Sequence, residues 1–246
     1  MIEKVKGIVL QRIAYTDNKN IVKIYTETGS NSYMCFRKSK NTHDALQPMT
    51  LVQFCSEKRQ GTSLSFLRDV QYLNSVAISD YQLPKATINM FLNEILYKLL
   101  GNAGEDSELF DFVFNTLHQF YNSPYLQDFH LRFLVHCAIQ MGSAPKDNYQ
   151  EGCIFDVLSA NFVTKKTIAV TNSMQKNDKF SEDINVQVAQ YLYALMQEPL
   201  FPQTPTIAPF VIRNALLNLL IEYYTIHIID LSGLQSLEVL QTILHE

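Results

Sequence analysis

The stretch KVKGIVLQRIAYTDNKNIVKIYTETGSNSYMCF, residues 4–36, decides the fold. Within it, Lys4 to Ile13, Ile21 to Thr26 and Ser32 to Phe36 are short segments rich in Val, Ile, Tyr and Phe. The turn formers Thr16-Asp17-Asn18 and Thr28-Gly29-Ser30-Asn31 separate them, which is the pattern of strands joined by hairpins. Two more such segments follow, Leu51 to Cys55 and Ser65 to Leu73, with Arg59-Gln60-Gly61 between them. Five strands with little intervening helix predict a small barrel, and five is the strand count of the OB-fold.

From residue 81 the period changes. Ile88, Phe91, Leu92, Ile95, Leu96 and Leu99 form one stripe at helical spacing, with Pro84 suited to the first turn and Gly101 to the end. A second helix is expected from Ser107, as N-cap, to Tyr121, stopped before Pro124. A third is expected from Tyr125 to Met141, with Leu126, Phe129, Phe133 and Cys137 on one face and Gly142 closing it. Residues 143–180 read as irregular, with strand-like pieces near Phe155–Val157 and Ile168–Val170. Helix returns from about Asp183 to Met196. After a loop punctuated by Pro199, Pro202 and Pro205, helices are expected over Pro209–Tyr224 and Ser236–Leu244. The chain is thus of the α+β class, with strands first and helices after. The expected division is a barrel domain at 1–80 and a helical domain at 81–246, the latter holding an irregular insert at about 143–180.

Composition bounds the function classes. Hydrophobic residues make up 47% and charged residues 18% of the 246, so a sizeable core can be buried and global disorder is excluded. The most apolar stretch, Phe210 to Ile221, is interrupted by Arg213, Asn214 and Asn218 and is too short to cross a bilayer. The apolar run Gly7 to Leu10 ends at Gln11 and Arg12, which does not suit a signal peptide. The four scattered cysteines, Cys35, Cys55, Cys137 and Cys153, read as reduced thiols, so a cytoplasmic location is expected. The net charge of −4 hides an asymmetry: residues 1–80 carry eleven Lys/Arg against seven Asp/Glu, while the remainder carries nine against seventeen. A basic first third admits a polyanionic partner.

Catalytic signatures are missing: no Gly-x-Ser-x-Gly, His-Glu-x-x-His, Walker loop or Gly-x-Gly-x-x-Gly occurs. His130, His136, Cys137 and Cys153 could converge on a metal, but Cys137 lies on an apolar helical stripe where a small buried thiol belongs. His227, at a helix end after Tyr223 and Tyr224, reads as a structural histidine. Neither catalysis, nor a cofactor, nor a metal is expected, and a hydrolase or transferase assembled from distant residues is the weaker class. What remains is basic residues interleaved with aromatics on the strands. Arg12, Lys23, Arg37, Lys38, Lys40, Lys58, Arg59 and Arg68 sit among Tyr15, Tyr25, Tyr33, Phe54, Phe66 and Tyr72. Single-stranded nucleic acid needs both, cations for phosphates and flat faces for bases. Half of the aromatics must fill the barrel. Tyr25 and Tyr33, which flank a turn, are the aromatic candidates for exposure. Arg37-Lys38-Ser39-Lys40 has no apolar alternation, so it is either a phosphate contact or a solvated loop.

The order Gly7-Ile8-Val9-Leu10, Tyr15-Thr16-Asp17, Ile21-Val22, Tyr25-Thr26 and Gly29 resembles the opening of the bacterial RecO family of recombination mediators. Further on, Leu134 to Pro145 with Gly142, Phe155-Asp156, Arg213-Asn214-Ala215-Leu216-Leu217, Tyr223-Tyr224, His227 and Ser236-Leu237-Glu238-Val239-Leu240 resemble its C-terminal half. The resemblance implies an OB-fold followed by a helical domain. It also implies a DNA repair and recombination protein that binds single- and double-stranded DNA, anneals complementary strands and helps load RecA onto strands coated by single-strand-binding protein. RecR, RecF and single-strand-binding protein are the implied partners, at the nucleoid and without a membrane. Arg37 matches the family's basic residue after the third strand, and Lys38 and Lys40 extend that patch. Cys35 stands where the family commonly has glycine. Of the four-cysteine zinc site that many members carry, only Cys153 remains, which implies a zinc-free branch. The alternative reading is a general OB-fold module for single-stranded DNA or RNA.

Overall fold

A computed structural model describes residues 4–36, 46–58, 64–73, 83–164 and 182–244. Five strands, β1 (Val5–Thr16), β2 (Lys19–Thr26), β3 (Gly29–Phe36), β4 (Leu51–Glu57) and β5 (Ser65–Tyr72), close into a barrel in the order β1-β2-β3-β5-β4. The closure fulfils the expected OB-fold. All pairings are antiparallel except β3 with β5, where Tyr33 faces Ser65 and Met34 faces Phe66. Alternate residues of the strands turn inward, as the two-residue period of a pleated strand requires. Val9, Val22, Ile24, Cys35, Val52, Phe54 and Leu67 fill the interior together with Leu46.

Two irregularities shape the long first strand. Leu10 and Tyr15 have no counterpart on β2, because the register steps between Val9 and Gln11 and again between Ala14 and Thr16. Each is a bulge, which bends the strand and re-aims its side chains. Gly7 lies where a Cβ would stand 2.4 Å from Ile24 Cγ2 and 3.2 Å from Phe54 Cε1, so barrel closure at this point leaves room only for hydrogen.

Helices α1 (Leu83–Leu100) and α2 (Ser107–Asn122) belong with the barrel in one compact unit, Met1–Tyr125. The stripe predicted for α1 is the buried one. The cap of α2 is Asp106, one residue before the Ser107 expected from sequence; its carboxylate accepts from the Leu109 amide at 2.9 Å. The loop between the two helices is bonded to the β2–β3 turn. Ser30 N donates to Ala103 O at 2.9 Å, Ser30 Oγ to Leu100 O at 2.6 Å, and Asp106 N to Glu27 O at 3.3 Å. Gly29 sits inside this joint at φ 99°, and a Cβ there would fall 2.7 to 2.9 Å from Ala103 O and the Gly104 carbonyl. Both the dihedral and the space demand glycine.

The second unit, Leu126–Glu246, contains α3 (Phe129–Gln140), the hairpin β6 (Ile154–Asp156) and β7 (Asn161–Val163), α4 (Glu182–Gln197), α5 (Phe210–His227) and α6 (Ser236–Ile243). Ile168–Val170, expected as strand-like, lies outside the described residues. Helix α3 is buried on nearly all sides, so it is the central element of this unit. It starts at Phe129, later than the expected Tyr125. The Asp128 carboxylate makes no cap bond, being drawn to Arg132 Nε at 2.9 Å and the Tyr191 hydroxyl at 2.6 Å. Arg132, fully buried, also meets Glu198 Oε2 at 2.8 Å and donates to the carbonyls of Thr206 (3.1 Å) and Pro199 (3.4 Å). One guanidinium thus ties α3 to the proline-rich loop. His227 bonds the carbonyl of Val157 at 2.7 Å, the structural role expected for it.

Arg132→Ala would leave the Asp128 carboxylate buried without its cation. It should cost about 3–5 kcal/mol in chemical denaturation; a loss below about 1 kcal/mol would contradict the tie. A second expectation concerns acid. Burial, helped by the nearby Arg213 charge, pulls the His130 imidazole down to about 3, whereas an unfolded histidine takes its proton near 6.5. Between those values the unfolded chain holds the extra proton, so stability must fall as pH drops through that window, by up to about 1.4 kcal/mol per unit. Burial also lowers His136, which acts in the same direction. Melting curves from pH 7 to 4 should show the decline, and His130→Gln should lessen it; an unchanged slope in that variant would refute the assignment.

Candidate nucleic-acid interface

The barrel has two unlike ends. At the first, where β2 runs into the β2–β3 turn, α1 and α2 pack on the outer surface. The Tyr25 ring lies fully buried, edge-on to Phe110 with centroids 5.7 Å apart, its hydroxyl 3.5 Å from Asp106 O. The expectation that Tyr25 is exposed is therefore corrected: it points outward from the barrel, but α2 covers it. Lys23 is turned the same way, its ammonium 3.4 Å from Asn102 Oδ1 and 5.6 Å from the Tyr97 ring centre. Glu27, Glu105, Asp106, Glu108 and Asp111 gather in the sequence around this joint, and their negative charge repels phosphate.

At the second end lie the β1–β2 hairpin, the finish of β3 and the start of β5. The register carries one outward row across four strands: Ile13 faces Ile21, Ile21 faces Met34, and Met34 faces Phe66. One step further, Lys19 faces Phe36. Phe36 and Phe66 are stacked at 5.6 Å with their planes 23° apart, and the Lys19 ammonium stands 6.0 and 5.8 Å from the two ring centres. Phe66 is buried beneath, while Phe36 keeps 46% of its surface exposed. Beside them the hairpin presents Ile13 and the bulged Tyr15, 51% and 60% exposed.

Of the other expected residues, Lys58 is exposed and directly follows Glu57, the strand partner of Phe66. Arg68 is about half exposed and paired with Glu57, its Nη2 3.0 Å from Oε2. Arg12 stands on β1 opposite Val22, and its charge acts on the Cys35 thiol, which burial raises. Tyr33 is half-buried, edge-on to Phe54 at 5.1 Å, and burial raises its hydroxyl; it is a wall of the core more than a free platform. Arg37, Lys38, Lys40 and Arg59 lie outside the described residues. Lys19 and Phe36 were not among the residues singled out from sequence. Their signal was available in the hairpin: Thr26 pairs with Gly29, and counting back along both strands sets Lys19 opposite Phe36.

The second unit holds a half-open cleft lined by His130, Phe210, Arg213, Asn214, Leu217 and Leu240. Arg213 is almost fully buried there, and in the amide orientation that satisfies both groups its Nη atoms donate to Gln127 at 2.9 and 3.1 Å. Among the described residues no carboxylate lies within ion-pair distance of it. Nor do three or more His, Cys, Asp or Glu side chains gather as metal ligands among those residues, and no described helix is long and apolar enough to cross a membrane.

Strand order and connection define an OB-fold protein with a helical C-terminal part. Residues 1–76 match the family description Recombination protein O N terminal, and residues 81–235 match Recombination protein O C terminal. The chain belongs to the RecO family of DNA repair proteins. It is 30% identical to the DNA repair protein RecO of Phocaeicola vulgatus over 248 residues, 98% of each chain. The RecO proteins of Bacteroides fragilis and Flavobacterium psychrophilum are 29% and 25% identical, again over 98% of each chain.

Because Tyr25 is a packing residue, Tyr25→Ala should destabilise the first unit by about 3–5 kcal/mol. Tyr25→Phe should leave DNA affinity unchanged in a fluorescence anisotropy titration. A selective loss of affinity in Tyr25→Phe would restore Tyr25 as a contact.

Proposed function

We propose that this RecO-family protein binds single- and double-stranded DNA at the open end of the barrel, anneals complementary strands and helps RecA load onto strands coated by single-strand-binding protein. It acts by binding, without catalysis, cofactor or metal, in the cytoplasm at the nucleoid, with RecR, RecF and single-strand-binding protein as partners. The observation that carries this reading is the contrast between the barrel ends. One is covered by α1 and α2 amid acidic residues; the other exposes Tyr15, Phe36 and Lys58, with the half-buried Lys19 beside Phe36. In sequence the second end continues from Phe36 directly into Arg37, Lys38 and Lys40. Cations there neutralise phosphates and release counterions, and lowered repulsion between two bound strands favours their pairing. The barrel and its basic cluster thus supply the DNA contacts of residues 1–80, as the sequence division at 80 supposes. A protein partner is assigned to the helical part because residues 81–246 carry nine Lys/Arg against seventeen Asp/Glu, a charge that repels DNA.

Replacing Arg37, Lys38 and Lys40 together by alanine tests the reading. Each phosphate contact to a single strand adds about 0.7 to the slope of log affinity against log salt. The triple variant should bind roughly 10- to 100-fold more weakly at moderate salt, with a slope flatter by about 2 and annealing reduced in parallel. Its melting temperature should hold, since a run of charges without apolar alternation supplies no core side chain. A wild-type salt slope in the variant would move the DNA path off this cluster.

A further inference from the structure

Phe36 ends β3 stacked on the Phe66 ring, with nearly half its surface exposed. An exposed phenylalanine on a strand is ordinary when it stands alone. This one is stacked on Phe66, and the Lys19 ammonium stands over both rings, 6.0 and 5.8 Å from their centres. A half-exposed ring backed by a second ring and set beside a cation matches the repeating unit of a single strand, a flat base next to a phosphate. It does not match duplex DNA, where each base already has neighbours on both faces and only edges reach the grooves.

We propose that the exposed part of the Phe36 ring seats one unpaired base, with Lys19 holding the adjoining phosphate, so that this position makes the barrel prefer single strands over duplex. The inference rests on the DNA-binding reading above and adds the position where a strand's unpaired state is sensed.

The chain contains no tryptophan, so Phe36→Trp makes a single reporter at the seat. Its emission should be quenched on titration with an oligothymidylate, while a duplex of equal length should leave it nearly unchanged. Phe36→Leu, which keeps Phe66 covered but removes the flat face, should bind the oligothymidylate about 5- to 100-fold more weakly. Its duplex affinity should stay within about twofold, with the salt slope and melting temperature of the unaltered protein. The proposal is overturned if Phe36→Trp stays unquenched while anisotropy shows the strand bound. It also fails if Phe36→Leu loses single-strand and duplex binding equally, or loses neither. Failure of the unaltered protein to bind either DNA would instead defeat the underlying function, a result separable from these.

Discussion

The seating of the β2–β3 turn on the α1–α2 loop is the constraint on which the first unit depends. Gly29, at φ 99° and in van der Waals contact with the Ala103 and Gly104 backbone, lets two elements distant in sequence share hydrogen bonds through Ser30 and Asp106. The consequence is asymmetric. Outward side chains near that joint, Tyr25 and Lys23 among them, are absorbed into packing against the helices. Those at the far end of the same strands, Lys19 on β2 and Phe36 on β3, are left to the surface. A small barrel has too little interior for all its aromatics, and a pair of helices covers one end of the surplus.

Charge follows the same division. The basic excess of residues 1–80 nearly vanishes over residues 1–125, which carry thirteen Lys/Arg and twelve Asp/Glu. A uniform basic surface would attract a polyanion without orienting it. On the function proposed above, acidic residues around one joint and exposed rings with Lys19 and Lys58 at the other end would direct a strand to one place, because field and stacking would favour the same site.

The second unit solves a different problem. Its central helix is buried on nearly all sides yet includes a charged residue, and a buried guanidinium is tolerable only when its donors are matched. Asp128, Glu198 and two carbonyls of the proline-rich loop supply that match. The Asp128 carboxylate is taken up by these contacts and makes no cap bond at the start of α3. Arg213 is treated otherwise: a neutral amide and the Phe210 ring surround it, which leaves its charge uncompensated by a carboxylate among the described residues.

Much of the fold was legible in residue order. The two-residue alternation of β1 to β5, the stripe Ile88 to Leu99 and the proline and glycine stops are local signals, and periodicity survives without knowledge of neighbours. The ordered run from Gly7-Ile8-Val9-Leu10 to His227 likewise carried the family. The site was less legible. Alternation shows that Tyr25 and Phe36 sit on strands, and it cannot show that α2 will cover the first and leave the second open. Nor does composition reveal that Lys19 meets Phe36 and Phe66, since that depends on a hairpin register and on a parallel pairing of β3 with β5. Sequence by itself determined the elements and their inward faces, because those depend on each strand's or helix's own period. Only tertiary structure decided which outward residues are surface, because that depends on what another segment packs against them.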